Sequence, residues 1–393
     1  MSRPAQQCAT RLSGEDILKR TTFDQIEWHR LRARNEFRRR QQRGRRMATA
    51  KRVPSSQEHV DRVSRPSGSA IRPAITSARG SRRVMHDFIT PPADFSLRNN
   101  YDKVIGFFSH FRSMAYNDRA FDRPFGIEFA ALKKVAPGAA LMLAAELYRL
   151  QRFVGRRLSA IRQDEWDPEV RRTLQELGLF KLLATPNVYP VMRRDDNPSL
   201  EIIEYSVDAE VDGNKCGHLL DCLAEIAGDL PAQNFIYDGL IEALKNSKHH
   251  AYSEERWYGV EPGTWFMTGS YDRFERQLTA AVFDLGVGIP ATLPRSGLWE
   301  HLRPILSLSG SDDAKMISAA MEYGRTRTHL QGRGKGLPIM MRLLDHHPGY
   351  LRIVSGKGEA VYDSLTKSIH ETSHAESIGG TLIEWSIASD RRN

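Results

Sequence analysis

Cysteine is scarce in this chain of 393 residues. Cys8, Cys216 and Cys222 form neither a CxxC pair nor a disulfide framework, as expected of a cytosolic protein with incidental thiols. Long apolar runs are missing too. No stretch approaches the roughly 18 residues of a membrane span. The longest, AALMLAAELY (Ala139–Tyr148), reads as a buried helix. The opening residues MSRPAQQ lack an apolar signal-peptide core, so a cytoplasmic location without membrane partners is expected. Internal repeats are absent. Acidic residues are scarce in one region only: residues 1–84 hold 21 Lys+Arg against 7 Asp+Glu, whereas the remainder holds 36 against 41. The net charge of +9 is therefore a property of the first 84 residues.

What is present follows from that division. Residues 14–47 can form an Arg-rich helix with a thin apolar stripe, and residues 48–84, rich in Ser, Pro, Gly and Arg, read as disordered. Clustered arginines attract phosphates, so the arm 1–84 is a candidate contact for nucleic acid or an anionic membrane surface. The plainer reading is a solvated tail, because no aromatic interleaving accompanies the charge. From Val84 the pattern is globular. SLRNNYDKVIGFFSHFRSM is an amphipathic helix, FGIEFAALKKV a strand, and APGAALMLAAELYRLQRFVG a helix starting at Pro137. RRLSAIRQ then suggests a short strand, and DPEVRRTLQELGLFKLL a helix opened by Asp167. This alternation predicts a small α/β domain over 85–190, and a turn-rich connection leads to a second domain over 195–393.

In the second domain, EALKNSKHHA (Glu242–Ala251) interrupts an apolar helical pattern. Ile236, Leu240, Ala243, Leu244 and Ser247 recur at helical spacing and define a buried face. Glu242, Asn246, His249 and His250 run along a different face. On this helix alone, chance spacing is the simpler reading. Two later segments change the weighting. LTAAVFDLGVGIP is an apolar strand that ends in Asp284 and continues through Gly286, Gly288 and Ile289. TRTHLQGRGKGLPIMM places Gly332, Gly334, Lys335, Gly336 and Leu337 before an apolar-periodic helix, an arrangement suited to an anion because the free N–H groups and the helix dipole both favour phosphate. GRGKGL is neither a Walker loop nor a clean dinucleotide fingerprint.

Taken in order, Glu242…Asn246, DLGVGI, GRGKGL and the final strand GGTLIEWSI resemble the N, G1 and G2 boxes and last strand of the GHKL ATPases, the superfamily of gyrase, the heat-shock chaperone ATPase, histidine kinases and mismatch-repair proteins. EALKNSKHHA is most similar to the histidine-kinase and anti-sigma-kinase branch. The resemblance covers about residues 200–390. It implies a C-terminal two-layer α/β sandwich of the Bergerat type, with a mixed sheet backed by helices, and ATP with Mg²⁺ as ligands.

Residue by residue, the resemblance implies Mg²⁺ on Asn246, water activation by Glu242, and adenine recognition by Asp284 with Thr381. Gly286, Gly288 and Ile289 would lie along the purine and ribose. Gly332, Gly334, Lys335, Gly336 and Leu337 would close over the phosphates, while His250 touches phosphate or simply packs. Arg325, Thr326, Arg327 and Thr328 fall in the implied lid, with solvated loop residues as the preferred reading. The chain departs from smaller members in the 42 residues between Ile289 and Gly332, within which LWEHLRPILSLSGSDDAKMISAAMEYG looks helical. MHDFITPP superficially resembles a phosphoacceptor start with His86 as acceptor, but Pro91 and Pro92 interrupt it, and a strand edge is expected instead. The 85–190 domain resembles the STAS fold of anti-sigma antagonists, although VAPGAA lacks their phosphorylated Ser or Thr.

The expected function is ATP binding with slow hydrolysis that drives lid closure and regulates a protein partner. One alternative is a protein kinase acting on a partner. Another is a non-hydrolysing, nucleotide-gated adaptor whose basic arm binds nucleic acid. Many GHKL members dimerise, so a homodimer stays open.

Overall fold

A computed structural model describes residues 87–389 apart from 117–124, 156, 185–198, 229, 231–232, 253–258, 310–311 and 327–335. The arm 1–84 and His86 lie outside the described residues. His86–Asn393 fall in one compact unit.

The first part alternates as its sequence predicts: β1 (Asp87–Ile89), β2 (Asp94–Phe95), α1 (Leu97–Tyr116), β3 (Phe125–Glu128), β4 (Lys134–Val135), α2 (Pro137–Val154), β5 (Ser159–Ile161) and α3 (Pro168–Glu176). Strands β1, β3 and β5 make a parallel sheet in that order, and β2 pairs with β4. The Asp87–Ile89 strand ends shortly before Pro91 and Pro92. Helix α2 begins with Pro137 at its first position and ends at Gly155, whose φ of 67° closes it in a left-handed cap. Asp167 opens α3 by accepting the Glu169 and Val170 amides.

The second part contains β6 (Leu200–Ile202), β7 (Ser206–Asp208), α4 (Gly213–Ala227), α5 (Gln233–Asn246), β8 (Trp265–Asp272) and β9 (Gln277–Asp284). A helical turn α6 (Ile289–Thr292), α7 (Trp299–Ser309), α8 (Asp313–Thr326) and α9 (Gly336–His346) follow. The chain closes with β10 (Gly349–Ser355), β11 (Gly358–Asp363), β12 (Ser368–Ser373) and β13 (Thr381–Ala388). The sheet runs β12-β11-β10-β13-β9-β8-β6, with β7 also on β8. A mixed sheet was expected, but every strand pair in it among the described residues is antiparallel. The molecule is thus mixed α/β, with one large antiparallel sheet.

Side-chain alternation settles what covers each face. Trp265, Met267, Val282, Leu351, Ile353, Ile383 and Trp385 point to one face and share a core with α4, α5 and α9. Phe266, Ala281, Phe283, Val354 and Leu382 point to the other and join the core built on α1, α2 and α3. A two-layer sandwich would leave that second face open. Here α2 lies on it, apolar all round and fully buried from Ala139 to Ala145, because it serves the small sheet and the large one together. The segments 85–190 and 195–393 accordingly share one continuous core.

Candidate functional site

Helix α5 buries Ile236, Gly239, Leu240, Ala243 and Leu244. Gly239 permits its approach to the sheet, since a Cβ there would lie 3.2 Å from the Trp385 ring. Trp385 in turn donates its indole N–H to the Met340 carbonyl of α9 at 2.8 Å, locking strand and both helices together. This packing leaves Glu242 and Asn246 half-buried one turn apart. Glu242 accepts a hydrogen bond from Lys245 Nζ at 2.7 Å. At Ser247 the helix widens into a π turn that runs to Ala251, a departure from α geometry common at functional sites.

The π turn meets the end of the sheet. Asp284, Thr381 and Ser355 are direct cross-strand partners on β9, β13 and β10, and all three face the α5 side. They form the last polar rung beneath an otherwise apolar surface. Asp284 is 5% exposed. Its Oδ1 accepts the Gly286 amide at 2.8 Å and its Oδ2 the Ser247 hydroxyl at 3.2 Å. Burial pushes its pKa up to about 6, against the lowering effect of the Gly286, Ser247 and Thr381 hydrogen bonds. Ser355, fully buried, accepts the Ile289 amide at 2.7 Å and lies 2.9 Å from the Thr381 hydroxyl.

The loop after Asp284 is pressed against this rung from the α5 side. Val287 donates its amide to Ala251 O at 2.7 Å, and a Cβ on Gly286 would come within 2.3 Å of that carbonyl. Gly288 takes φ 91°, a conformation only glycine adopts without strain. Tyr252 pins the same corner, accepting the Leu285 amide at 3.1 Å and donating to the Thr264 carbonyl.

Helix α9 completes the arrangement. Its first residue, Gly336, sits over the half-buried face of α5: a Cβ there would lie 3.4 Å from both Asn246 Nδ2 and Glu242 Oε2. The free amides of a helix start are thereby brought beside an acid and an amide. Leu337 packs both on the main core and on a small separate core of Leu293, Leu302, Leu306, Met316 and Ala320. Apart from Leu293, that small core belongs to α7 and α8, the helices expected between Ile289 and Gly332.

The structure therefore brings Glu242, Asn246, Asp284, Gly286, Gly288, Ile289, Gly336 and Thr381 to one end of the sheet. His250 is exposed on the π turn, 6.3 Å from the His249 ring. Gly332, Gly334 and Lys335 lie outside the described residues, as do Arg327 and Thr328; α8 ends at Thr326. Ser247, Ser355 and Tyr252 were not singled out from the sequence as site residues. Ser355 had a readable signal, a hydroxyl at the next alternate position after Leu351 and Ile353, whereas nothing local marks Tyr252.

No family model matches the chain, and no curated protein does.

Proposed function

We propose that this end of the sheet binds ATP with Mg²⁺, and that the protein is a regulatory ATPase of the GHKL type, in the histidine-kinase-like branch. The observation that carries the reading is convergence. Asp284 meets Ser247 and Thr381, and Gly336 meets Asn246 and Glu242, so four segments spread from Glu242 to Thr381 come together, each with a residue type the resemblance implies.

The chemistry of the donor set fits. Asp284 is a buried carboxylate whose hydrogen-bond partners are neutral, so it retains the capacity to accept from an exocyclic amino group. The start of α9 suits phosphate. Asn246 would supply the protein oxygen for a magnesium ion, which prefers few protein ligands. When bound, the ion supplies charge neutralisation at the phosphates. Glu242, one turn from Asn246, would orient the attacking water after leaving Lys245. Gly332, Gly334 and Lys335 would form the phosphate cover, and α7–α8 the lid that closes over it. The Bergerat-type sandwich and the STAS-like fold of the 85–190 domain belong to this same proposal.

Mg²⁺-dependent binding of radiolabelled ATP, followed to phosphate release, tests it. Wild type binds and slowly hydrolyses; Asn246→Ala loses Mg²⁺-dependent binding; Glu242→Ala binds without turnover. A wild type that binds no adenine nucleotide overturns the reading. Label appearing on a second protein instead of in free phosphate would favour a kinase.

A further inference from the structure

Thr381 and Asp284 set a hydroxyl beside a carboxylate on the last rung, so the direction in which the Thr381 proton points decides what base edge the rung can read. That direction is set by Ser355. Its Oγ accepts the Ile289 amide at 2.7 Å, which leaves its own proton to donate. Two acceptors are within reach: the Thr381 hydroxyl at 2.9 Å and the Gly380 carbonyl at 3.4 Å. Either oxygen of the Ser355–Thr381 pair could donate; we assign the Ser355 proton to this shorter contact, because accepting the Ile289 amide strengthens Ser355 as a donor. Thr381 then receives from Ser355 on a lone pair. Among the described residues Ser355 is the hydrogen-bond partner of the Thr381 side chain, which leaves the Thr381 proton to turn toward the base-binding side.

We propose that Ser355 is a specificity-determining positioning residue: by donating to Thr381 it makes the Thr381 hydroxyl a hydrogen-bond donor beside the Asp284 acceptor, a pair that selects adenine over guanine. The inference rests on the nucleotide reading above and deepens it. Adenine presents an amino donor next to a ring-nitrogen acceptor, which match Asp284 and Thr381 in turn. Guanine presents a carbonyl acceptor next to an N–H donor, which would set lone pair against lone pair at Asp284 and proton against proton at Thr381. Ser355 lies two strands from Asp284, roughly 10 Å across the sheet, so it acts through Thr381 without reaching the base. It also holds the Ile289 amide, and with it the first turn of α6 after Gly288. One buried hydroxyl thus ties the glycine loop to the reading rung.

The test is a comparison of ATP and GTP dissociation constants, with Mg²⁺, for the full chain as wild type, Ser355→Ala, Thr381→Val and the double variant, each checked by thermal melting. Wild type prefers ATP. Ser355→Ala narrows the ATP:GTP preference about tenfold, Thr381→Val narrows it at least as much, and the double variant matches Thr381→Val alone because the two act as one unit. A Ser355→Ala chain that loses ATP and GTP affinity equally, or narrows the preference further in the Thr381→Val background, overturns the proposal. Should Ser355→Ala fail to fold, Ser355→Cys carries the test: the thiol is a weaker donor, so the ATP:GTP preference narrows, and a Ser355→Cys chain that keeps the wild-type preference overturns the proposal. If wild type binds neither nucleotide, the nucleotide reading itself fails, an outcome visible before any substitution is made.

Discussion

Two carboxylates in this molecule are equally hidden and oppositely tuned. Asp284, at the open end of the large sheet, has only neutral partners, and burial pushes its pKa up to about 6. Glu146, on the buried helix α2, is fully enclosed, yet the Arg112 and Arg149 guanidiniums outweigh the burial effect and hold it below its ordinary range. Arg112 also donates to the Ile378 carbonyl at 3.2 Å, so the ion pair joins α1 and α2 to the segment preceding β13. A second paired set lies on the same face of the sheet. Arg352 reaches Glu359 at 2.8 Å and Glu384 at 3.0 Å, while His374 contacts Glu359 at 3.0 Å and stacks on Tyr101. Burial with a cation builds an interface; burial with neutral donors leaves an acceptor that a ligand can use.

Breaking the paired side gives the largest expected effect. Arg112→Met leaves Glu146 short of a partner in a fully buried position and should lower unfolding stability by about 3–5 kcal/mol, read by urea denaturation at pH 7. Equal stability of variant and wild type would sink the claim that this pair holds the two parts together.

Asp284→Asn probes the other side, and its two readouts move in opposite directions. ATP binding should fall at least about a hundredfold, because an amide cannot replace the carboxylate as a double acceptor. Stability should rise by on the order of 1–3 kcal/mol above pH 6. The sign follows from the raised pKa: between about pH 4 and 6 the native state binds more protons than the unfolded one, so wild-type stability falls as pH climbs through that window. The Asn variant lacks this slope. Denaturation midpoints at pH 4, 6 and 8 measure it, and a variant that tracks wild type at all three would refute the assignment.

Glu359 should show the reverse dependence. Burial raises its pKa, but the His374 and Arg352 hydrogen bonds and charges prevail and depress it to about 2. Its contribution is therefore complete above about pH 4.5 and is lost as pH falls toward 2. Glu359→Gln should be the less stable protein at pH 7, by about 2 kcal/mol, with a shallower acid limb. The smallest effect is expected at Asp167→Ala, which removes the α3 cap at a cost of about 1 kcal/mol and leaves ATP affinity unchanged.

Legibility in the sequence tracks how local each cause is. The start of α2 at Pro137, its end before Gly155 and the Asp167 cap were readable because proline, glycine and aspartate act on the backbone within a turn of themselves. The buried face of α5 was readable from its spacing, and so was the helical character of the segment after Ile289. Strand direction was not: a mixed sheet was expected where an antiparallel one formed, since alternation looks alike in both. Nor was the cover over the second face of that sheet visible, because Phe266, Phe283 and Leu382 meet α2 across more than a hundred residues.

The sequence by itself determined where helices begin and end, which faces are apolar, and which residue types stand at Glu242, Asn246, Asp284 and Thr381. Only the tertiary structure decided that these four meet. Register across β9, β13 and β10 set Asp284, Thr381 and Ser355 in one row, and the packing of α9 on α5 put Gly336 beside Asn246. Propensity and capping are short-range and repeat wherever the same residues recur. A strand's partner and a buried carboxylate's pKa depend on groups distant in the chain, which no local pattern records.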